Sequence, residues 1–285
     1  MKMSMGRMGR RLLGLAAAGV ALVTSTAAFA ELGQPAEWEW RLQQAGSPVM
    51  ETIETFHNWL LVIITVITLI VLGLLITVMV KFNARANPTP SRTTHNTIIE
   101  VAWTLIPVLI LVSIAVPSFR LLFLELDIPK ADLTIKATGK QWYWTYTYPD
   151  AKIEFDSLLA CDEERTKCTA PRLLAVDNNI VVPVNKIILV ETTGADVIHS
   201  FSVPAFGIKI DAIPGRLNET WFKAEKTGMY YGQCSQLCGK DHAYMPIAVK
   251  VVTDEEYAKW LVDAKKQFSS ARDSNYASAA DGATH

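Results

Sequence analysis

The run Tyr231-Gly-Gln-Cys234-Ser-Gln-Leu-Cys238-Gly-Lys-Asp-His242-Ala-Tyr-Met245 gathers two thiols, an imidazole and a thioether in one short segment. Thiolate and thioether are soft ligands that select copper, and imidazole suits it too. In an extended strand Cys234 and Cys238 would stand about 13 Å apart, so a loop must bring them together. Gly232 and Gly239 suit such a turn. A second imidazole has to come from elsewhere. His199, which follows a β run and precedes Ser-Phe-Ser-Val-Pro, is the natural candidate; the other histidine late in the chain is the terminal His285.

The ligand arithmetic separates several designs. A mononuclear blue-copper site takes two His, one Cys and a weak axial Met, and this chain has one Cys more. Two thiolates can bridge two coppers, leaving one His and one weaker ligand for each. A Cys₂His₂ zinc site leaves Met245 idle and lacks the usual paired spacing. A Cys234–Cys238 disulfide is the third alternative for thiols in an oxidising compartment. Cys161 and Cys168 flank Asp-Glu-Glu-Arg-Thr-Lys with no His or Met nearby, which suits a disulfide closing a small exposed loop.

Elements must position these residues. After Glu125, short β-rich runs alternate with Gly, Pro, Asn or Asp: Leu133–Ala137, Gln141–Tyr148, Ile180–Val184, Ile187–Thr192, Glu219–Ala224 and Pro246–Val252. That pattern predicts an antiparallel sandwich or barrel. Thr253 to Phe268 then reads as a helix, opened by a Thr253/Glu256 capping box and closed by Lys265 and Lys266. The Ser/Ala/Asp-rich stretch 269–285 reads as a disordered tail.

Ahead of that domain lie two uncharged apolar runs, Leu60–Val80 and Val101–Phe119, each long enough to cross a bilayer as a helix. Trp59 and Trp103 sit near their ends, where amphipathic rings favour the interface, and Pro107 and Pro117 interrupt the second. The connecting stretch carries Lys81, Arg85 and Arg92 with no acid until Glu100, which predicts a cytoplasmic loop. Residues 1–30 read as a secretory signal: a basic start, the apolar Leu12–Val23 and the small-x-small site Ala28-Phe29-Ala30. The expected organisation is therefore a signal peptide (1–30), a periplasmic segment (31–58) and two transmembrane helices (59–124) around a cytoplasmic loop (81–97). A periplasmic metal domain with its C-terminal helix (125–268) and the tail complete it. The chain of 285 residues has a formal charge of −1, with 22 acidic against 18 basic residues from Glu125 onward. That balance excludes a nucleic-acid binder and suits a basic protein partner for the outer domain.

These residues resemble subunit II of the haem–copper cytochrome c oxidases, of the bacterial aa3 type. The resemblance spans nearly all of the chain after residue 30. It is carried by Glu100-Val-Ala-Trp-Thr-Leu-Ile-Pro107, Gly139-Lys-Gln-Trp-Tyr-Trp144, Val197-Ile-His-Ser-Phe-Ser-Val-Pro204, Asp211-Ala-Ile-Pro-Gly-Arg-Leu-Asn218 and the Cys234–Met245 loop. It implies a two-helix transmembrane hairpin followed by an all-β cupredoxin-like Greek-key sandwich with a binuclear CuA centre. In that scheme Cys234 and Cys238 bridge both coppers, His199 and Met245 complete one, and His242 with the Gln236 carbonyl completes the other. Trp142 matches the tryptophan at which the electron from cytochrome c arrives. Glu100 matches the carboxylate at the mouth of a proton pathway, and Asp177 and Asp196 match acidic docking positions. The electron then passes to haem in subunit I, where oxygen is reduced and protons are pumped.

The sequence departs from the family at three positions. Gln236 replaces a Glu that binds magnesium at the subunit I interface, and a neutral amide is the weaker ligand for a hard cation. Lys140 stands where His is common, and Thr147 where an acid often helps dock cytochrome c. Rival readings are a quinol oxidase subunit lacking copper, the copper domain of a nitrous oxide reductase and a membrane-tethered copper carrier. The five side-chain ligands argue against the first, the two-span anchor against the second, and Trp142 with Glu100 against the third.

Overall fold

A computed structural model describes residues 33–162 and 164–281. The signal-peptide segment 1–30 lies outside them. Helix α1 covers Pro48–Lys81 and helix α2 covers Thr97–Leu126. Ser47 caps α1 by accepting from the Met50 N–H, and Pro48 occupies the first helical position, where a missing N–H costs nothing. Asn96 caps α2 at the N–H groups of Ile98 and Ile99. At 1.5 Å per residue the helices are about 51 and 45 Å long, well beyond a hydrocarbon core of about 30 Å. Helix α1 therefore begins a full three turns before the apolar run, and α2 runs unbroken through Pro107 and Pro117.

Among the described residues ten strands follow: β1 (Leu133–Lys140), β2 (Tyr143–Tyr148), β3 (Ile153–Ser157), β4 (Ile180–Pro183), β5 (Ile187–Gly194), β6 (His199–Val203), β7 (Ile208–Ala212), β8 (Asn218–Lys223), β9 (Gly228–Cys234) and β10 (Pro246–Val252). They form two five-stranded sheets, ordered β3-β2-β1-β5-β8 and β4-β10-β9-β6-β7. The sandwich is not wholly antiparallel as the strand pattern predicts. β1 pairs with β5, and β4 with β10, in parallel, because the chain changes sheet between those strands. Alternating side chains enter the core from both sheets, among them Ile135, Tyr146, Phe155, Ile188, Val190, Phe201 and Ile247. Each aliphatic or phenylalanine side chain among these contributes about 1.5–3 kcal/mol on burial.

Contacts at both ends of the sandwich hold helices against it. Ser47 donates its hydroxyl to the Phe206 carbonyl at 2.7 Å, and the Gly46 N–H donates to Ala205 O at 2.7 Å. Val49 and Met50, next in α1, are buried. At the other end, helix α3 (Asp254–Asp281) packs Trp260 against Tyr148 and stacks Phe268 on Phe155 at 4.7 Å. The capping box forms: Glu256 N–H donates to Thr253 Oγ1 and Thr253 N–H to Glu256 Oε2. Helix α3 continues to Asp281, past Phe268, where the sequence predicts a disordered tail. No Gly or Pro interrupts the chain between Thr253 and Gly282, so the helix propagates without an intrinsic stop.

Candidate metal centre

The site lies at one end of the second sheet, where β6, β9 and β10 run side by side. His199 is the first residue of β6, Cys234 the last of β9, and Met245 directly precedes β10. The ladder itself brings these together. Cys234 N–H donates to Met245 O at 3.3 Å, and Ser235 N–H to Ser200 O at 3.0 Å. Between β9 and β10 the chain turns at Gly239, whose φ of +125° lies where an L side chain is strained, and then forms a 3₁₀ turn over His242–Tyr244. Gly232 is not at the turn. It lies inside β9, where a Cβ would meet Ser202 O at 2.0 Å.

The donors converge. Cys234 Sγ is 3.9 Å from Cys238 Sγ, 3.9 Å from His199 Nδ1 and 3.4 Å from Gln236 O. Cys238 Sγ is 3.5 Å from His242 Nδ1 and 3.6 Å from Met245 Sδ. Both cysteines are free thiols, so the disulfide alternative is not the state seen. The thioether is among the converging donors, which a zinc site would not require. Two thiols, two imidazoles, a thioether and a carbonyl fit a soft metal such as copper.

Hydrogen bonds around the donors set their orientation and charge. Asp196 Oδ1 lies 2.8 Å from His199 Nε2, and its other oxygen accepts from the Gln141 N–H at 2.7 Å. This leaves Nδ1 of the fully buried His199 facing the sulfurs. Trp144 packs its edge toward the same ring. Burial works against a charged His199, but its bonds to Cys234 and Asp196 prevail and raise its pKa. Burial likewise pushes the Cys234 thiol up, but bonds from His199 and the backbone at Gln236 and Ser200 outweigh it and bring it to about 6. Cys238 goes the other way, to about 12, through burial and then the charge on Cys234. In the metal-free chain the two sulfurs therefore share one negative charge.

The remaining sequence-predicted residues fall in distinct places. Trp142 lies in the β1–β2 turn, just before β2 rather than within it, and donates its indole N–H to Cys238 O at 3.2 Å. Asp177 is exposed and accepts from the N–H groups of Leu158 and Asn178. Cys161 and Cys168 are joined as a disulfide. Glu100 sits in the first turn of α2, accepting from Asn96 N–H, about 39 Å of helix from the end that feeds β1. Two contributors escaped the sequence reading. Asp196 is expected from the sequence only on a docking face, and its i, i+3 spacing to His199 signals a contact on a helix, whereas His199 opens a strand. Gln141, which also donates to Cys238 O at 2.9 Å, carried no signal.

The fold and site define a membrane-anchored cupredoxin-like protein with a soft-metal centre of thiol, imidazole and thioether donors. The model of the cytochrome c oxidase subunit II periplasmic domain matches residues 133–252, and that of the subunit II transmembrane domain matches residues 35–121. A probable cytochrome c oxidase subunit 2 of Rickettsia bellii is 51% identical over 250 residues, covering 87% of this chain and 93% of the relative. Cytochrome c oxidase subunit 2 of Cereibacter sphaeroides is 44% identical over 277 residues, covering 89% and 91%. The solved periplasmic domain of cytochrome oxidase subunit II from Bradyrhizobium japonicum is 71% identical, covering 50% of this chain and 99% of that one, with a TM-score of 0.47. This chain belongs to the cytochrome c oxidase subunit II family. It is a membrane protein that partners with the other subunits of the respiratory oxidase, and its Cys/His site fits the CuA role of receiving electrons.

Proposed function

We propose that this chain receives electrons from cytochrome c on the periplasmic side of a bacterial inner membrane, at a binuclear centre, for delivery to haem in subunit I. Copper, when bound, supplies a couple that takes up and gives back one electron. The residues do the rest. Cys234, Cys238, His199, His242, Met245 and the Gln236 carbonyl are the residues that would hold the copper. Asp196 fixes the His199 ring, and burial of His199, Cys234, Cys238 and Met245 keeps water from the site. The single observation that carries this reading is the convergence of both sulfurs with both imidazoles and Met245.

Orientation is supported by two features. The basic residues Lys81, Arg85 and Arg92 lie in or beside the interhelical loop, which favours the cytoplasm. The segment before α1 packs on the sandwich that follows α2, with Tyr231 N–H donating to Gly33 O, so both ends of the hairpin share one side. Glu100 then lies at the cytoplasmic end, suited to a proton-pathway entrance, while Trp142 and the exposed Asp177 lie on the donor's side. Asp196, engaged with His199, serves docking less. With Gln236 in place of a carboxylate, magnesium binding at the subunit I interface is weak.

The test is copper reconstitution of the full-length chain in detergent. Two coppers per chain and a purple mixed-valence spectrum are expected, and Cys234→Ser should abolish both. A colourless protein, or one copper per chain, overturns the binuclear reading.

A further inference from the structure

The two imidazoles of the centre are held differently. His199 has Asp196 on its far nitrogen, but no hydrogen bond to the far nitrogen of His242 appears among the described residues. The position of His242 therefore depends on its backbone turn. That turn is gripped from outside. Arg165 Nη1 lies 2.9 Å from Asp241 Oδ1, and its guanidinium lies over the Tyr244 ring, 3.8 Å from the centroid. Asp241 immediately precedes His242, and Tyr244 immediately precedes Met245. One planar cation thus touches both shoulders of the segment carrying two of the donors. Arginine suits this double task, since its fork pairs with a carboxylate while its face stacks on an aromatic ring.

Arg165 is itself presented by a built support. It sits in the loop closed by the Cys161–Cys168 disulfide, with a φ of +58°, in the left-handed region that favours glycine. Asp162 organises that loop: its Oδ1 accepts from the N–H groups of Thr166 and Lys167, and its Oδ2 from the Thr166 hydroxyl. The Arg165 N–H donates to Asp162 O, and Thr169 N–H to Ala160 O closes the base. An unfavourable backbone conformation held by a cross-link and four hydrogen bonds to one aspartate aims a single side chain at the metal loop.

We infer that the Cys161–Cys168 loop is a clamp on the metal centre, with Arg165 as the residue that positions His242 and Met245 through Asp241 and Tyr244. The inference rests on the reading of this centre as a copper site. Arg165 does not touch a metal donor; it fixes the turn that aims two of them. Gln141 and Trp142 add a second hold on the same segment at the Cys238 carbonyl, and Trp142 lines one cleft with Cys161, Asp162, Arg165 and Tyr244.

The test uses the full-length oxidase carrying Arg165→Gln, Arg165→Lys, Cys161→Ser with Cys168→Ser, or all three of Arg165→Gln, Cys161→Ser and Cys168→Ser. Copper loss to an excess of chelator and the thiolate-to-copper charge-transfer spectrum are followed. Arg165→Gln should lose copper about 10-fold faster and shift the spectrum, as changes to ligand-supporting residues do. The Cys161/Cys168 double variant should do the same, and combining the changes should add little, because both act through one contact. Arg165→Lys should recover part of the retention through charge alone. Lys167→Gln, in the same loop but without these contacts, is the control and should match wild type. Unchanged copper loss and spectrum in Arg165→Gln, an equal effect from Lys167→Gln, or a drop only in melting temperature would each overturn the clamp. Wild-type oxidase without copper at this centre would overturn the copper reading and the clamp with it.

Discussion

The indole N–H of Trp142 donates to the carbonyl of Cys238 at 3.2 Å, so a partly exposed ring on the outer turn is one hydrogen bond from a sulfur-bearing residue of the metal loop. Gly239 makes the approach possible: a Cβ there would stand 2.9 Å from the Trp142 ring. Trp142→Phe keeps an aromatic surface but removes the donor. Reduction of the centre by cytochrome c should slow by about tenfold or more, equivalent to about 1.4 kcal/mol of barrier, while copper content stays full. Stopped-flow reduction of the assembled oxidase measures this. A wild-type rate would show that the electron enters by another route.

Asp196 gives a second, independent handle. Its carboxylate joins His199 to the Gln141 amide and the Val197 N–H. Asp196→Asn preserves the shape but replaces an anion with an amide that can present either a donor or an acceptor. The His199 ring then loses its fixed orientation, and copper affinity should fall about 10–100-fold. If Asp196 instead serves only to dock a basic partner, the substitution would leave copper titration untouched and change only the salt dependence of donor turnover.

Copper uptake should depend on pH in a direction set by the two thiols. With Cys234 near 6 and Cys238 near 12, the metal-free site holds one thiolate and one thiol across neutral pH. Binding as two thiolates expels the Cys238 proton, so apparent affinity should rise about tenfold per pH unit between about pH 7 and 9. Below about pH 6 the slope should steepen, since Cys234 must then also lose a proton. His199, whose pKa is raised above the ordinary imidazole value, must also give up a proton to bind, so its contribution to the slope sets in earlier, as pH falls through neutral. Competition against a chelator of known pH dependence gives the slope, and a flat profile from about pH 7 to 9 would refute the shared-charge description.

Gln236 offers a gain-of-function test. Its carbonyl faces Cys234 Sγ at 3.4 Å while the residue remains exposed, so the side chain can change without disturbing that donor. Gln236→Glu in the assembled oxidase should raise manganese binding at the subunit interface, read by its paramagnetic spectrum, with the copper spectrum unaltered. Equal manganese occupancy in both forms would remove Gln236 from any account of that cation.

The parts of this protein legible in its sequence are those where chemistry is local. The apolar runs, the cap at Thr253 and the Cys234–Met245 spacing each state their structure within a few residues. Strands β3, β6, β7 and β9 were not read, because their identity comes from pairing. β6, for example, is only five residues long and is defined by its pairing with β7 on one side and β9 on the other. The parallel pairs β1/β5 and β4/β10 were equally hidden, since long sequence separation decides them. At the centre the donors could be listed from residue type, whereas Gln141, Asp196 as ring partner and Arg165 could not. Each works through a contact across the fold or, for Asp196, through an orientation that composition does not encode.

Gly139 shows how tightly β1 constrains the centre from behind. It pairs with Trp144 in β2 and Gly194 in β5, and a Cβ placed on it would lie 2.7 to 2.9 Å from three atoms of His199. The ring has little freedom to withdraw, being fully buried, bonded to Asp196 and faced by the edge of Trp144. Gly139→Ala must therefore turn the imidazole or shift the strand, at a cost of about 1–3 kcal/mol for overpacking. The expected result is a folded, membrane-inserted chain with reduced copper content and an altered charge-transfer spectrum. Gly73→Ala in α1, where a Cβ meets nothing within 4 Å, is the control and should leave the centre unchanged. Normal copper content and spectrum in Gly139→Ala would mean that the backbone of β1, rather than His199, yields to the added methyl group.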